Sequence, residues 1–206
     1  VELKALGTVT AYNTVSVRAR VNGQLVKVPF VEGQQVKAGE LLAQIDPRPY
    51  QVALQQAEGS LLQSRAELQN AELDLKRYQD LYAEDSVARQ VLDTQRAKVD
   101  QLRGTLKNLE AAVASARLNL DFTEVRAPLA GRLGLRQVDV GNLVTSGDAT
   151  PLVTITQTSP IAVSFTLPEA DLPAVLRPFR AGETLRVEAW DRSESRRLAE
   201  GVLASL

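Results

Sequence analysis

Residues 54–82 read LQQAEGSLLQSRAELQNAELDLKRYQDLY, and residues 92–120 read LDTQRAKVDQLRGTLKNLEAAVASARLNL. In each stretch, residues that recur at alternating steps of three and four are mostly apolar, which is the spacing of a coiled-coil seam. The first seam consists of Leu54, Ala57, Leu61, Ser64, Leu68, Ala71, Leu75, Tyr78 and Tyr82. The second consists of Leu92, Gln95, Val99, Leu102, Leu106, Leu109, Val113, Ala116 and Leu120. The pattern predicts two long amphipathic helices.

The two seams match if the second helix runs back along the first. Residue numbers sum to 174 in the pairs Leu54–Leu120, Leu61–Val113, Leu68–Leu106, Leu75–Val99 and Tyr82–Leu92. They sum to 173 in the pairs Ala57–Ala116, Ser64–Leu109, Ala71–Leu102 and Tyr78–Gln95. One reversal near residue 87 satisfies every pair. The sequence therefore predicts an antiparallel helical hairpin over residues 48–120, with its tip near residues 83–88 and a length of roughly 50 Å.

Local capping signals support these helix ends. Asp46 followed by Pro47 is typical of an N-cap followed by proline in the first helical position. Asp85 or Ser86 is predicted to cap the start of the second helix. Gly59 and Gly104 fall inside the two helices, where each costs about 1 kcal/mol relative to alanine.

The composition excludes several classes of function. The net charge of −1 and the aromatic content of 4% do not favour nucleic-acid binding. The chain has no cysteine and no histidine, so thiol chemistry, histidine general-base chemistry and the usual zinc ligands are absent. No glycine loop suited to a phosphate is present either. We therefore predict a protein that is not an enzyme and that holds no cofactor and no metal.

The ends of the sequence suggest a piece of a longer chain. No stretch of 18 apolar residues could span a membrane, and no signal-peptide pattern opens the sequence. The first residue is Val1, and the last residues, 201–206, are strand-like without a polar tail. We expect the natural protein to continue on one or both sides.

The segments that flank the hairpin repeat each other. Residues 17–40 read VRARVNGQLVKVPFVEGQQVKAGE, and residues 125–148 read VRAPLAGRLGLRQVDVGNLVTSGD. At an offset of 108, eight of the 24 positions are identical, including three glycine pairs: Gly23/Gly131, Gly33/Gly141 and Gly39/Gly147. The first pair is predicted at a close approach of two backbones, and the other two at turns with positive φ. One half has too few strands to bury a face, so the halves are predicted to pack together.

These observations predict an α+β fold of three parts. The helical hairpin is inserted in a split β-domain formed by residues 17–47 and 121–157. Residues 1–16 and 158–206 are predicted to form an incomplete β-barrel domain. Its strands are expected where residues alternate with period two, at 1–6, 161–167 and 185–190, and a short helix is expected over 168–176.

This arrangement resembles the periplasmic adaptor family, also called membrane fusion proteins. The half-motifs ARVNGQL with VEGQQVKAG, and RAPLAG with VGNLV, are similar to the split lipoyl domain of that family. The segment GELLAQID, followed by Pro47 and Tyr50, resembles the junction into its hairpin. Hairpin length and the stretch from 153 to 169 look most like adaptors of RND-type multidrug efflux pumps. The resemblance covers nearly the whole chain.

The resemblance implies a role and a location. Such adaptors link an inner-membrane RND transporter to a TolC-type outer-membrane channel in the periplasm of Gram-negative bacteria, attached to the inner membrane. They assemble as rings, here expected to be a hexamer or a trimer of dimers. The hairpin tip meets the channel, whereas the barrel and a membrane-proximal domain, absent from this chain, meet the transporter. A link to antibiotic resistance follows.

The resemblance also implies a channel-contact site at the hairpin tip. The family carries an arginine, a leucine four residues later and a serine seven residues further on. Arg77 and Leu81 match the first two, and the serine position falls on Ala88. Ser86, two residues earlier, is a candidate for the polar role. On residues alone, Arg77 is equally an exposed helix arginine, and Leu81 either closes the hairpin or projects as an exposed apolar contact.

Other interpretations stay open at this stage. The same domain plan serves adaptors of ABC exporters, MFS pumps and type I secretion, although type I adaptors have longer hairpins. A coiled-coil scaffold without a transport role is a more distant alternative. A lipoyl or biotinyl carrier is disfavoured because the hairpin replaces the turn that would carry the lysine. A second apolar line, Leu62, Ala66 and Leu73, either packs against a neighbouring protomer or has no partner.

Overall fold

The computed structural model describes residues 3–206. In chain order, the elements are β1 (Gly7–Ala11), β2 (Thr14–Val17), β3 (Gly23–Lys27), β4 (Gln35–Val36), β5 (Leu41–Ile45), α1 (Arg48–Ala83), α2 (Arg89–Asp121), β6 (Glu124–Arg126), β7 (Gly131–Leu133), β8 (Leu143–Val144), β9 (Val153–Thr156), β10 (Ile161–Phe165), α3 (Leu172–Arg180), β11 (Arg186–Trp190) and β12 (Arg197–Val202). The predicted α+β class is confirmed. The chain forms two compact units, one of residues 13–159 and one that joins 160–206 to the segment before Asn13.

The β-domain of the first unit is built from both repeat halves. One four-stranded antiparallel sheet has the order β2-β9-β7-β4, and the other has the order β6-β5-β3-β8. The 108-residue offset maps β3 onto β7 and β4 onto β8, and the same mapping turns the first sheet into the second. Each sheet contains two strands from each half, so neither half completes a sheet alone.

Equivalent hydrogen bonds join the halves. The Leu25 N–H donates to the Asn142 carbonyl at 2.9 Å, and the Gly141 N–H donates to the Leu25 carbonyl at 2.8 Å. At the position 108 residues later, the Leu133 N–H donates to the Gln34 carbonyl at 2.9 Å, while its own carbonyl accepts from Gly33 at 3.1 Å. The sequence repeat is therefore a structural repeat with an approximate two-fold relation.

The core of this domain lies between the two sheets. Its buried side chains come from both halves: Val17, Leu25, Val36, Leu42, Ile45, Val125, Leu133, Val144, Leu152, Val153 and Ile155 are each at most 7% exposed. Truncating a buried leucine or isoleucine of this kind to alanine costs about 2–5 kcal/mol. The β-domain is thus a rigid base for the hairpin.

The helices of the hairpin pack along the predicted seams. Every seam residue is buried or half-buried except Tyr82, which is 39% exposed. Three ion pairs cross between the helices at steps of seven residues: Glu58–Arg117, Arg65–Glu110 and Glu72–Arg103, at 3.3, 3.4 and 2.8 Å. Each pair sums to 175, as a single reversal near residue 87 requires. These exposed pairs favour the register but contribute little stability, about 0–1 kcal/mol each.

Two polar residues interrupt the seam. The Gln95 side chain donates to the Ala71 carbonyl at 2.9 Å, so it is satisfied although it lies among apolar residues. The Ser64 hydroxyl is buried and has no hydrogen-bond partner within residues 3–206. An unsatisfied buried hydroxyl costs about 1–3 kcal/mol. The seam is therefore not optimised for stability at Ser64.

The base of the hairpin is tied to the β-domain by hydrogen bonds. The Gln44 side chain donates to the hydroxyl and the carbonyl of Thr123, at 3.1 and 3.3 Å. Thr123 is 1% exposed, and its hydroxyl donates to the Leu120 carbonyl at 2.7 Å. The Tyr50 hydroxyl donates to the Asn22 carbonyl at 2.7 Å. Both helices are thus held where they leave the sheets.

The start of α1 differs from the predicted cap. Pro47 occupies the N-cap position, since its carbonyl accepts the Gln51 N–H at 2.9 Å. Asp46 lies one residue earlier and accepts the Arg48 N–H at 3.1 Å. The Arg48 guanidinium also bonds this carboxylate, and these bonds lower the pKa of Asp46. Asp46 still supports the helix start, but from outside the cap position.

In the second unit, β1 pairs with β10 and β11 pairs with β12, all antiparallel. The predicted strands at 161–167 and 185–190 correspond to β10 and β11. The strand expected at 1–6 is wrong over residues 3–6, and residues 1 and 2 lie outside the described residues. The pairing register explains the shift, because Phe165 faces Gly7 and the ladder then runs to Ala11. The predicted helix at 168–176 begins later, after the turn that ends at Asp171.

Two further expectations differ from the structure. Residues 14–16 were assigned to the barrel, but they lie in β2, which pairs with β9 in the β-domain. Gly33, Gly39 and Gly141 have positive φ as predicted, whereas Gly147 does not. The turn at Gly147 is instead closed by Asp148, whose carboxylate accepts from the Thr145 N–H at 2.8 Å.

Candidate docking site at the hairpin tip

The chain leaves α1 through a compact turn. The Ser86 N–H donates to the Leu81 carbonyl at 2.8 Å, and the Asp85 N–H donates to the Tyr82 carbonyl at 3.1 Å. These two bonds, with Asp85 in the left-handed region at φ 53°, form a Schellman motif. Aspartate tolerates this conformation better than most residues, although glycine is the usual choice. The turn therefore fixes the tip backbone without a glycine.

The predicted cap of α2 is wrong. Neither Asp85 nor Ser86 caps this helix, because both complete the end of α1. Ala88 occupies the N-cap position with φ −71° and ψ 144°, and it has no side-chain acceptor for the first N–H groups. The Ser86 hydroxyl turns away and donates to the Glu84 carbonyl at 3.3 Å. The start of α2 therefore depends on backbone bonding alone.

The four predicted contact residues are only partly brought together. Arg77 and Leu81 lie four positions apart on one face of α1. The Arg77 side chain is 71% exposed and bonds Asp74 at 3.0 Å, one turn below the tip. Leu81 is half-buried, so the expectation of an exposed apolar contact is wrong. Ser86 and Ala88 are exposed in the loop, and only Ser86 is bonded to Leu81.

A shallow groove beside the tip was missed by the sequence analysis. It is lined by Tyr78, Gln90, Val91, Thr94 and Gln95. Val91 is 41% exposed although it lies next to the seam residue Leu92. An apolar residue off the seam within the first turn of α2 was the available signal. The groove offers an apolar contact that the half-buried Leu81 offers less fully.

The tip presents mixed charges and no reactive constellation. Its apex carries exposed Glu84 and Asp85, whereas exposed Arg77 and Arg89 lie below the apex on the two helices. Within residues 3–206, no cluster of acidic, histidine or cysteine side chains could hold a metal ion. Such a surface is suited to docking against another helical surface through shape and charge.

Replacing Ala88 with serine is expected to stabilise the hairpin. A serine hydroxyl at the N-cap accepts one of the free N–H groups of α2 and adds about 0.5–2 kcal/mol. Ala112→Ser is the matched control, because an exposed alanine inside the same helix loses up to about 0.5 kcal/mol of helix propensity. Urea unfolding of the two variants measures both effects. A midpoint that falls for Ala88→Ser would contradict the assigned cap position.

A split β-domain that carries a long helical hairpin defines a class of protein built to reach a partner away from its base. The model of the RND MFP barrel-sandwich hybrid domain matches residues 13–156. The model of the RND MFP beta-barrel domain matches residues 160–206. The chain therefore belongs to the RND membrane fusion protein family.

Curated relatives agree with this family. Multidrug resistance protein MdtA of Pectobacterium carotovorum subsp. carotovorum strain PC1 is 55% identical over 204 residues, or 99% of this chain. The protein of the same name from Escherichia coli strain K12 is 56% identical over the same length. Since 49% of each relative is covered, the chain spans about half the length of the curated relatives it matches.

Solved structures are similar along most of the chain. A MacA-MexA chimeric protein that contains the Pseudomonas aeruginosa MexA α-hairpin domain has a TM-score of 0.62 and 26% identity, covering 95% of this chain and 62% of that one. A putative efflux transporter from Bacteroides eggerthii DSM 20697 has a TM-score of 0.59 and 26% identity, covering 93% of this chain and 52% of that one. Within residues 3–206, no helix has both the length and the apolar character needed to cross a bilayer.

Proposed function

We propose that this chain is the hairpin-bearing part of a periplasmic adaptor in a tripartite multidrug efflux pump. The adaptor links an inner-membrane RND transporter to a TolC-type outer-membrane channel. The observation that carries the proposal is identity of 55–56% over 99% of the chain to proteins named for multidrug resistance. Family models specific for RND adaptors support the transporter class over ABC and MFS alternatives.

The adaptor acts through geometry and carries out no chemistry. The β-domain of residues 17–47 and 121–157 holds the hairpin of residues 48–120 from both sides. The hairpin reaches the channel with its tip, and Arg77, Leu81, Ser86 and Ala88 make the contact. The barrel of residues 1–16 and 158–206 faces the transporter. Several copies, six by family resemblance, surround a conduit through which drugs pass unchanged.

The reach of the hairpin is tested by shortening it without disturbing its seams. Deletion of residues 62–75 together with residues 99–112 removes two heptads from each arm, about 21 Å of length, and leaves Leu61 facing Val113. The full-length parent protein with this deletion is expected to fold and to restore no drug resistance to cells that lack the adaptor. Circular dichroism and minimum inhibitory concentrations are the two measurements.

The undeleted protein serves as the positive control in the same cells. Full drug resistance from the shortened protein would contradict the bridging function. Pull-down of the undeleted adaptor from cells identifies the transporter class. Recovery of an ABC or MFS transporter without an RND transporter would overturn the assignment in favour of the alternative adaptors.

A further inference from the structure

Each helix of the hairpin carries a second line of small and apolar residues at heptad spacing. The α1 outer line is Val52, Gly59, Ala66 and Leu73, and the α2 outer line is Ala97, Gly104, Ala111 and Leu118. Each member lies five positions after a seam residue, on the side of its helix that faces away from the other helix. All eight residues are exposed. The hairpin therefore has two unpartnered lines, one on each outer side.

The glycines in these lines have no role within one chain. A Cβ added to Gly59 or Gly104 would meet nothing within 4 Å, so neither glycine is needed to relieve a clash. Each glycine costs about 1 kcal/mol of helix stability relative to alanine. Glycine in a helix allows another backbone to approach closely. A surface outside the single chain accounts for their presence.

The two outer lines are complementary in size. The hairpin register, in which facing residue numbers sum to 173–175, sets the axial level of every residue. At equal level, Leu73 of one copy faces the gap between Ala97 and Gly104 of another. Leu118 likewise faces the gap between Val52 and Gly59. Large side chains of one line thus meet small residues of the other, as ridges meet grooves in helix packing.

The charges beside the lines are also complementary. Lys76 and Arg77 flank the tip end of the α1 outer line, and Asp93 and Asp100 flank the same end of the α2 outer line. These side chains are largely exposed, with Arg77 at 71% and Asp100 at 74%. Asp93 has only long contacts to arginines of its own helix, at 3.7 and 3.8 Å. Opposite charges at one level favour one alignment of the two lines.

We infer that the α1 outer line of one copy packs antiparallel against the α2 outer line of a second copy at equal axial level. The two surfaces are different, so the contact is head-to-tail and propagates from copy to copy. A head-to-tail contact without axial rise closes into a ring. This inference rests on the proposed adaptor function for its role in the cell, and it specifies the surface and register of self-association.

Disulfide trapping tests the contact directly, since the described chain has no native cysteine. The double variant Leu73→Cys with Gly104→Cys, in the full-length protein, is oxidised in cells that contain the transporter and the channel. Within one chain these two positions lie on opposite sides of the hairpin, too far apart for a disulfide. A ladder of dimers, trimers and larger species is expected.

Each single-cysteine variant is the matched control and is expected to give no ladder. Dimers formed by Leu73→Cys alone would mean that like faces meet, which overturns the head-to-tail contact. Absence of a ladder from the double variant overturns the inference. A disulfide between the double variant and the channel protein, formed in place of the ladder, also overturns it because the channel then covers the line.

A blocking variant separates this contact from misfolding. Gly59→Gln, added to the two cysteines, places a long side chain in the α1 outer line. It is expected to reduce the ladder at least tenfold while raising the thermal unfolding temperature, because glutamine forms helices better than glycine. Lys98→Gln, on an exposed position next to the seam, is expected to leave the ladder unchanged. An undiminished ladder with Gly59→Gln overturns the inference.

Drug resistance gives an independent readout of the adaptor function. A ladder together with failure to restore resistance would leave the packing surface intact and contradict the pump function. Resistance without a ladder would do the reverse.

Discussion

Replacing Arg77 with aspartate is expected to abolish the drug resistance that the full-length protein confers, while the hairpin stays folded. The Arg77 guanidinium is exposed and its one ion pair, to Asp74, is short-range within α1. Loss of that pair costs less than about 1 kcal/mol. At a docked interface, reversing a charge that meets an opposite charge costs about 2–5 kcal/mol or more, and channel binding then falls by at least tens of fold. Minimum inhibitory concentrations and circular dichroism measure the two effects.

Arg117→Asp is the matched control for this variant. Arg117 is 64% exposed and bonds Glu58 at 3.3 Å, so it loses a comparable ion pair near the base of the hairpin. Resistance is expected to persist in that variant. Arg77→Lys, which keeps the charge but loses the planar fork, is expected to be intermediate. Unchanged resistance with Arg77→Asp would show that the tip does not dock through this residue.

Because Arg77 also flanks the α1 outer line, its substitution could act on self-association. The disulfide ladder of Leu73→Cys with Gly104→Cys separates the two effects. Persistence of the ladder in the Arg77→Asp background, with loss of resistance, assigns the defect to channel docking. Loss of both assigns it to the packing of neighbouring hairpins.

The hairpin could be predicted from sequence because its pattern is long and its contacts are regular. Nine seam positions in each helix constrain one parameter, the sum of facing residue numbers, so single exceptions such as Ser64 do not change the answer. The interhelical pair Glu72–Arg103 lies in the same register. The repeat across the hairpin predicted the β-domain for a similar reason, since several positions share one offset.

The tip could not be predicted in the same way, because its conformation depends on a few competing local hydrogen bonds. Asp85 and Ser86 are both good N-cap residues, and the sequence does not state that α1 uses their N–H groups first. Leu81 lies off the seam by spacing, yet the turn folds back and half-buries it. The residues that resemble the family's contact site are therefore displaced in character, although their positions along the chain hold.

The barrel unit could be predicted only in outline. Its strands are short, and period-two alternation over five or six residues marks several windows equally well. Residues 3–6 alternate as clearly as β1 does, but pairing with β10 begins at Gly7. A long-range partner decides which window forms the strand, and that partner is not visible in the alternation itself.

Replacing Gly131 with alanine is expected to destabilise the β-domain by about 3 kcal/mol or more, the upper part of the range for overpacking. An added Cβ would lie 2.5 Å from the Thr156 carbonyl oxygen and 2.9 Å from Ile155 Cγ2. The first obstacle is backbone of the neighbouring strand and the second is a fully buried side chain, so neither moves without breaking the sheet. Urea unfolding is expected to give a lower midpoint, with loss of the near-ultraviolet signal at lower urea.

Gly147→Ala is the control, because Gly147 belongs to the same repeat half but has open space around it and lacks positive φ. It is expected to change stability by less than about 0.5 kcal/mol, or to increase it slightly. Equal midpoints for the two variants would contradict the close approach of β7 to β9. Since β7 joins β9 to β4, a displaced Gly131 separates strands of both halves. The base of the hairpin then loosens, and a variant more than 30 residues from the tip in sequence is expected to abolish function through stability alone.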